Sequence, residues 1–298
     1  MDYKKVFKSQ RLRLRLVNFL RLIPNKPYLR MVYKIKTGKR LHLKNPKNFT
    51  EKIQWLKLND IHPEYTSLVD KITVRNAVKE KVGADICFPM LGAWERYEDI
   101  DFDALPEKFV LKCNHDSGSV KVVLDKTKID HQHLKSFFRF RLKYNTYVLG
   151  RDYPYKKIKP MILAEKYMVS NGETDIKDYK FFCFDGKPKV MFIITGRSGD
   201  TRQDFFDMDF NHLDIINVYK PSEVPPKKPA MFEEMKALAA KLSKGMRFVR
   251  IDLYEVEGKL YFGEYTFFSG GGFWLFNPSK WERKLGDMIQ LPEVESKE

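Results

Sequence analysis

Between residues 161 and 268 the chain alternates short apolar runs with turn dipeptides, and that rhythm confines it to sheets assembled from hairpins. The segments MILAEKYMV (161–169), YKFFCF (179–184), KVMFII (189–194), DFFDMD (204–209), FVRIDLYEV (248–256) and KLYFGEYTFF (259–268) have the β-branched and aromatic content of strands. Asp185-Gly186 and Glu257-Gly258 stand where the chain must reverse. Upstream, FVLKC, NHDSGS and VKVVL across 109–124 read as strand, glycine loop, strand. Helical spacing is read at 130–143 and 231–244, so the class is α+β, rich in antiparallel sheet. PSEVPPKKPA at 221–230 has the composition of a linker or an ordered surface loop. A length of 298 residues allows one large domain or two ordinary ones.

Charge is distributed unevenly. The net charge is +16, but residues 1–50 hold fifteen Lys and Arg against the single acid Asp2, which leaves the other 248 residues nearly neutral at +2. A nucleic-acid enzyme carries positive charge through its substrate channel, and the body shows no such excess, so nucleic acid is not the expected partner. Within the basic arm, Leu12, Leu14, Leu16, Val17, Phe19, Leu20, Leu22 and Ile23 are interleaved with Arg11, Arg13, Arg15 and Arg21 before Pro24 stops any helix. Residues 1–23 therefore fit either an anionic membrane surface or a helix docked on the body with a solvated basic face. Apolar runs too short to span a bilayer, no secretory leader, and three scattered cysteines (Cys87, Cys113, Cys183) suit the cytoplasm.

Two motifs carry chemistry. In the loop Lys112-Cys113-Asn114-His115-Asp116-Ser117-Gly118-Ser119, unhindered backbone N–H groups lie near a lysine, a combination that holds phosphates and also describes an ordinary hairpin loop. In the last hairpin, Arg250 and Asp252 share one strand face, as do Glu264 and Thr266, and pairing through Glu257-Gly258 brings Asp252 near Glu264. Inward-facing carboxylates there need a cation, and hard oxygen donors suit magnesium; a surface strand with Arg–Asp and Glu pairs has the same alternation. A rival signal is Asp207-Met208-Asp209, an Asp-x-Asp with which a glycosyltransferase could hold a metal and a sugar nucleotide, and which also reads as an Asp/Asn-rich turn. Glu51-Lys52 and Asp70-Lys71-Arg75 read as helix-surface charges, with Lys71 and Arg75 as secondary phosphate candidates. Phe267, Phe268, Phe273 and Trp274 read as core or as a sugar platform.

The blocks NFTEKIQWLKLN (48–59), LVDKITVRNAV (68–78), KFVLKCNHDSGSV (108–120), ILAEKYM (162–168), DYKFFCFDGKPK (178–189) and FVRIDLYEVEGKLYFGEYTFFSGGGF (248–273) resemble, in order and spacing, the TupA-like ATP-grasp family. That family is associated with teichuronopeptide, capsular and exopolysaccharide biosynthesis. The resemblance runs from about residue 40 to the C-terminus and implies an ATP-grasp fold, with an N-terminal subdomain at 48–107 and a nucleotide-binding and catalytic region at 108–298; the helical, basic N-terminal arm at 1–47 is read from its charge. It implies ATP and magnesium as cofactors. Lys112 and the loop Asn114, His115, Ser117, Gly118 and Ser119 would face the phosphates, and the hinge Glu165, Lys166, Tyr167 and Met168 would face adenine. Asp178 would hold the ribose, Lys180 would reach a phosphate, Asp252, Glu264 and Thr266 would hold metal, and Arg250 would steady developing negative charge. Thr266 replaces the Asn usual in this position. The implied reaction joins a saccharide-linked carboxylate to an amine through an acylphosphate.

Overall fold

The computed structural model describes residues 19–168, 176–197 and 199–292. The chain forms two compact units, each gathered from three separate stretches. Unit one comprises Met1–Arg40, Asp60–Ile72 and Pro89–Tyr167; unit two comprises Leu41–Asn59, Thr73–Phe88 and Met168–Glu298. Among the described residues no helix is long and apolar enough to cross a membrane. The class is α+β, as expected.

Unit one is built on a four-stranded antiparallel sheet, in the order β1-β4-β2-β3, from β1 (Met90–Trp94), β2 (Phe109–Cys113), β3 (Lys121–Val123) and β4 (Ile162–Lys166). The two-residue period divides its faces. Phe109, Leu111, Cys113, Ile162 and Ala164 join a core with Leu134 and Phe138 of the helix His131–Leu142, while Val110, Lys112, Leu163 and Glu165 point the other way. The helix α1 (Asn25–Thr37) starts directly after Pro24 and ends at Gly38, whose left-handed φ of 72° lets its N–H return to the Lys34 carbonyl. Tyr28, Leu29 and Tyr33 form its buried side. The described start of this region is tied down by the buried Arg151, which donates to the carbonyls of Leu20 and Ile23. Residues 1–18, most of the expected amphipathic arm, lie outside the described residues.

Unit two is built on a six-stranded antiparallel sheet in the order β10-β9-β5-β6-β7-β8. Its strands are β5 (Asp178–Phe184), β6 (Lys187–Thr195), β7 (Arg202–Asp207), β8 (His212–Leu213), β9 (Phe248–Val256) and β10 (Lys259–Thr266). Both expected hairpin turns are present. Asp185 and Gly186, then Glu257 and Gly258, have positive φ at both central positions, the turn whose twist matches that of the flanking strands. One face of the sheet packs on the helix Phe232–Ser243, with Phe181 stacked on Phe232. On the other, Phe182 and Phe248 meet Phe49 of the helix α2 (Phe49–Asn59) and Phe276. β5 is buried along its whole length, and its two charged residues, Asp178 and Lys180, therefore need partners inside the protein.

Candidate functional site

The charged cluster of unit two grows from strand register. Lys180 of β5 lies opposite Asp252 of β9, which in turn lies opposite Glu264 of β10. Regular pairing from the Glu257-Gly258 turn would set Asp252 against Gly263 and turn Glu264 to the face that packs on the helix. A bulge between Phe262 and Glu264 adds one residue to β10 and restores Glu264 to the face of Asp252. The sequence reading reached the right neighbours, but the bulge is what makes them so. Gly263 fills it because a Cβ there would lie 2.6 Å from the Tyr254 ring.

The cation expected between the carboxylates is present as side chains. Arg250 forks onto Asp252 through Nε (2.6 Å) and one terminal nitrogen (2.7 Å), and that terminal nitrogen also donates to Glu264 at 2.7 Å. Its other terminal nitrogen donates to Ser269 Oγ at 3.1 Å. Lys180 makes a short ion pair with Asp252 and lies 3.7 Å from Asp178, which pairs with Arg197. Thr266 donates its hydroxyl to Glu264 at 2.9 Å. Burial raises the Asp252 pKa, but Arg250 and Lys180 outweigh it and hold the carboxyl below its ordinary value. Burial draws the Lys180 ammonium below its usual value against the pull of Asp252. Asp252 is 1% exposed whereas the Glu264 side chain is 35% exposed, so Glu264 is the carboxylate open to solvent. Asp178 is buried, and its Oδ1 has no hydrogen-bond partner among the described residues.

The turn Ser269–Gly272 carries Ser269 to Arg250, with left-handed φ at all three glycines. Helix α2 grips it from below, where Gln54 donates to the carbonyls of Gly271 (3.0 Å) and Gly272 (2.7 Å) and Lys57 donates to Gly271 at 2.7 Å. Phe267, Phe268 and Phe273 are buried, which resolves their reading toward core; Trp274 is exposed.

In unit one, Lys112 projects from β2 and meets Glu165 of β4 at 2.5 Å, both largely enclosed. The loop after β2 uses its polar side chains on its own frame. Asn114 donates to Asp70 and the Lys159 carbonyl and accepts from the Met161 amide. His115 Nε2 meets the carbonyls of Arg141 (3.2 Å) and Tyr144 (3.0 Å). Ser119 accepts from the Cys113 amide and donates to Asp116, which is paired with Arg141 at 2.5 Å. Ser117 and Gly118 form the exposed tip, and Gly118 has a φ of 82°. Along the stretch read as a hinge, the Lys166 amide donates to the Pro89 carbonyl, the Lys166 side chain is exposed, and Tyr167 and Met168 are half-buried.

Several charges read as surface are structural. Glu51 is buried and accepts from the amides of Lys47 and Asn48 ahead of its own helix. Asp70 holds Asn114, Lys71 donates to the Asp116 carbonyl at 2.5 Å, and Arg75 donates to the Phe88 carbonyl at 2.7 Å. The reason is tertiary: each caps backbone that the fold would otherwise bury unpaired. Asp207 accepts from the amides of Asp209 (3.0 Å) and Asn211 (2.8 Å) and from the Asn211 side chain, so both its oxygens serve a turn. Arg197, Ser269, Gln54 and Lys57 were not among the expected site residues, since no local pattern ties them to partners far along the chain.

Among the described residues no three or more His, Cys, Asp or Glu side chains cluster as a metal site. Asp252, Glu264 and the Thr266 hydroxyl are hard oxygen donors of the kind magnesium takes, and both Asp252 oxygens are held by Arg250 and Lys180.

A family model described as TupA-like ATPgrasp matches residues 51–290. No curated protein matches the chain. Among solved structures, the chain is similar to the ATP complex of a D-alanine–D-alanine ligase from Bacillus anthracis. Identity is 20%, coverage is 74% of this chain and 64% of that one, and the TM-score is 0.42. It is also similar to a D-alanine–D-alanine ligase from Helicobacter pylori, with 15% identity, 83% and 70% coverage and a TM-score of 0.40. A third is the ATP-grasp ligase PsnB with its minimal precursor, with 12% identity, 80% and 66% coverage and a TM-score of 0.40. The chain thus spans just under two thirds of the length of the Bacillus anthracis ligase.

Proposed function

The chain belongs to the TupA-like ATP-grasp family and has its α+β fold, and from that premise we propose that it is an ATP- and magnesium-dependent carboxylate–amine ligase of cell-surface polysaccharide biosynthesis. The observation that carries this reading is the buried constellation of Arg250, Lys180, Asp252 and Glu264, fixed by three adjacent strands and one bulge. Charges so placed cost free energy unless they serve one another or a ligand. Their clustering on one sheet face, opening to solvent at Glu264, supports a catalytic role.

In the proposed reaction an acceptor carboxylate takes the γ-phosphoryl group of ATP and ADP leaves. An amine then attacks the resulting acylphosphate, loses a proton and displaces phosphate, leaving an amide. Lys112 neutralises phosphate oxygens, while the exposed tip Ser117-Gly118 and the backbone of Asn114–Ser119 hold the phosphate chain. The backbone of Glu165–Met168 takes adenine, and Asp178 the ribose. Asp252, Glu264 and Thr266 would hold magnesium, which when bound would supply positive charge to the triphosphate. Arg250, already fixed by Asp252 and Ser269, stabilises the oxyanion of the tetrahedral intermediate. The acceptor is proposed to be a uronic acid or an amino acid attached to a saccharide, assembled at the cytoplasmic face of the membrane, which residues 1–23 contact.

Hydroxylamine trapping tests the reading. Purified protein with ATP, magnesium and a panel of uronic acids and amino-acyl sugars should yield ADP and a hydroxamate in equal amounts. Thermal stabilisation by a sugar nucleotide but not by ATP would instead favour the glycosyltransferase. Stabilisation by ATP without turnover on any acceptor would favour a nucleotide-binding adaptor.

A further inference from the structure

The chain contains no Asp or Glu from Tyr3 to Thr50, and α1 lies inside that span. Its buried side, Tyr28, Leu29 and Tyr33, is committed to unit one: Tyr28 donates to the Leu149 carbonyl, and the Arg151 guanidinium lies 4.2 Å from the Tyr28 ring centre. The opposite side is exposed and has two kinds of residue at helical spacing. Arg30 and Lys34 stand four apart, and beside them Met31 and Ile35 also stand four apart. Ile35 is 70% exposed and Met31 42%, and just ahead of the helix Leu22 is 77% exposed. Large apolar side chains thus stand among cations in a stretch of chain that carries no acid of its own.

We propose that this outer face of α1 docks on an anionic lipid bilayer, with Leu22, Met31 and Ile35 entering the interfacial layer and Arg30 and Lys34 meeting lipid phosphates. Charge complementarity selects the partner: a helix face that carries cations and no carboxylate of its own meets a uniformly negative surface. The apolar residues select bilayer over nucleic acid, because a polyphosphate strand rewards cations and stacking rings but gives Ile35 and Leu22 nothing to enter. The inference deepens the membrane contact proposed above and rests on the same partner, but it moves that contact from the N-terminal arm to a helix the fold holds rigid.

Flotation of the full chain with vesicles of equimolar phosphatidylglycerol and phosphatidylcholine, at low salt, tests it. Arg30→Gln/Lys34→Gln should lower the partition coefficient about 30-fold, from the attraction of two cations to an anionic surface. Met31→Ser/Ile35→Ser should lower it about tenfold or more with charge unchanged. Lys34 also donates to the Gly38 carbonyl, so unchanged circular dichroism and melting temperature accompany each variant, and Arg30→Gln alone serves if the pair unfolds. Wild-type partitioning in both double variants, with loss of binding in Arg11→Gln/Arg13→Gln/Arg15→Gln, would place the contact in the arm alone and overturn the proposal. Equal binding to pure phosphatidylcholine would overturn it as well. So would binding to an RNA homopolymer that the Gln pair abolishes and the Ser pair leaves intact. Because ADP formation is measured on the same samples, loss of vesicle binding with turnover retained separates this inference from the ligase reading.

Discussion

Replacing Asp252 by Asn is expected to destabilise unit two far more than the matching change at Glu264. From sequence alone the two look equivalent, and either amide should leave the fold intact. Burial breaks that equivalence. Asp252 is 1% exposed and takes two hydrogen bonds from Arg250 and a short contact from Lys180. An amide of the same size keeps the shape but leaves two enclosed cations facing a neutral group, with Glu264 still bonded to Arg250 and Asp178 3.7 Å from Lys180. Removing one partner of a buried ion pair costs about 3–5 kcal/mol. The Glu264 side chain is 35% exposed, so water replaces what the amide gives up and the loss is about 0–1 kcal/mol. The measurement is urea unfolding followed by tryptophan fluorescence in a Trp94→Phe background. The three remaining tryptophans, Trp55, Trp274 and Trp281, then all lie in unit two. With a slope of about 1–3 kcal/mol per molar urea, the gap separates the midpoints by roughly 1 M or more. Midpoints that coincide within about 1 kcal/mol would show that the enclosed network does not support the sheet, and the reasoning from burial would fail. Both variants should lose magnesium-dependent ADP formation.

Other outcomes follow from the same geometry. Gly263→Ala should lower stability by about 1–3 kcal/mol by crowding the Tyr254 ring, and should depress turnover because Glu264 is displaced; unchanged melting and unchanged kcat would mean that the bulge is dispensable. All three cysteines are buried, and burial pushes Cys113 and Cys183 up to about 12, so a thiol-specific disulfide reagent at pH 8 should react only after guanidinium is added. Rapid labelling of the native protein would contradict that placement. Asp207→Asn/Asp209→Asn should preserve ADP formation, because Asn keeps the acceptor that the Asp209 and Asn211 amides require. Abolished activity in a folded double variant, with Asp252→Asn still active, would transfer the chemistry to the Asp-x-Asp turn.

Much of the fold is legible in the sequence, because one rule, the two-residue period, governs most of it. FVLKC and FVRIDLYEV coincide with β2 and β9, and both hairpin turns are marked by their dipeptides. The β1 strand, MLGAW, escaped notice because it is short, irregular at Met90–Gly92 and lacks alternation. Strand order is invisible to periodicity: Lys180 and Asp252 are 72 positions apart, and only the neighbouring of β5 and β9 makes them partners. The same blindness affects Glu51, Lys71 and Lys57, whose charges look solvated along the chain and are enclosed by segments from elsewhere. The interleaving of the two units, which pass the chain between them five times, likewise has no signature in composition.

The bulge at Gly263 decides which change of chain length the site tolerates. Removing the Gly263 codon would join Phe262 directly to Glu264, so regular pairing would keep Phe262 opposite Leu253 and Glu264 opposite Asp252, with Glu264 and Thr266 still on the face of the charged cluster. Asp252 and Arg250 would remain in place on β9. A lineage of this protein can therefore lose one residue here and keep the pairing, whereas one residue gained here would, with the same single bulge, turn Glu264 and Thr266 toward the helix Phe232–Ser243 while altering no functional side chain. A comparison that demands a fixed spacing from Asp252 to Glu264 would wrongly reject the shortened chain, whereas one scored only on whether the charged residues are present would miss the loss in the lengthened one.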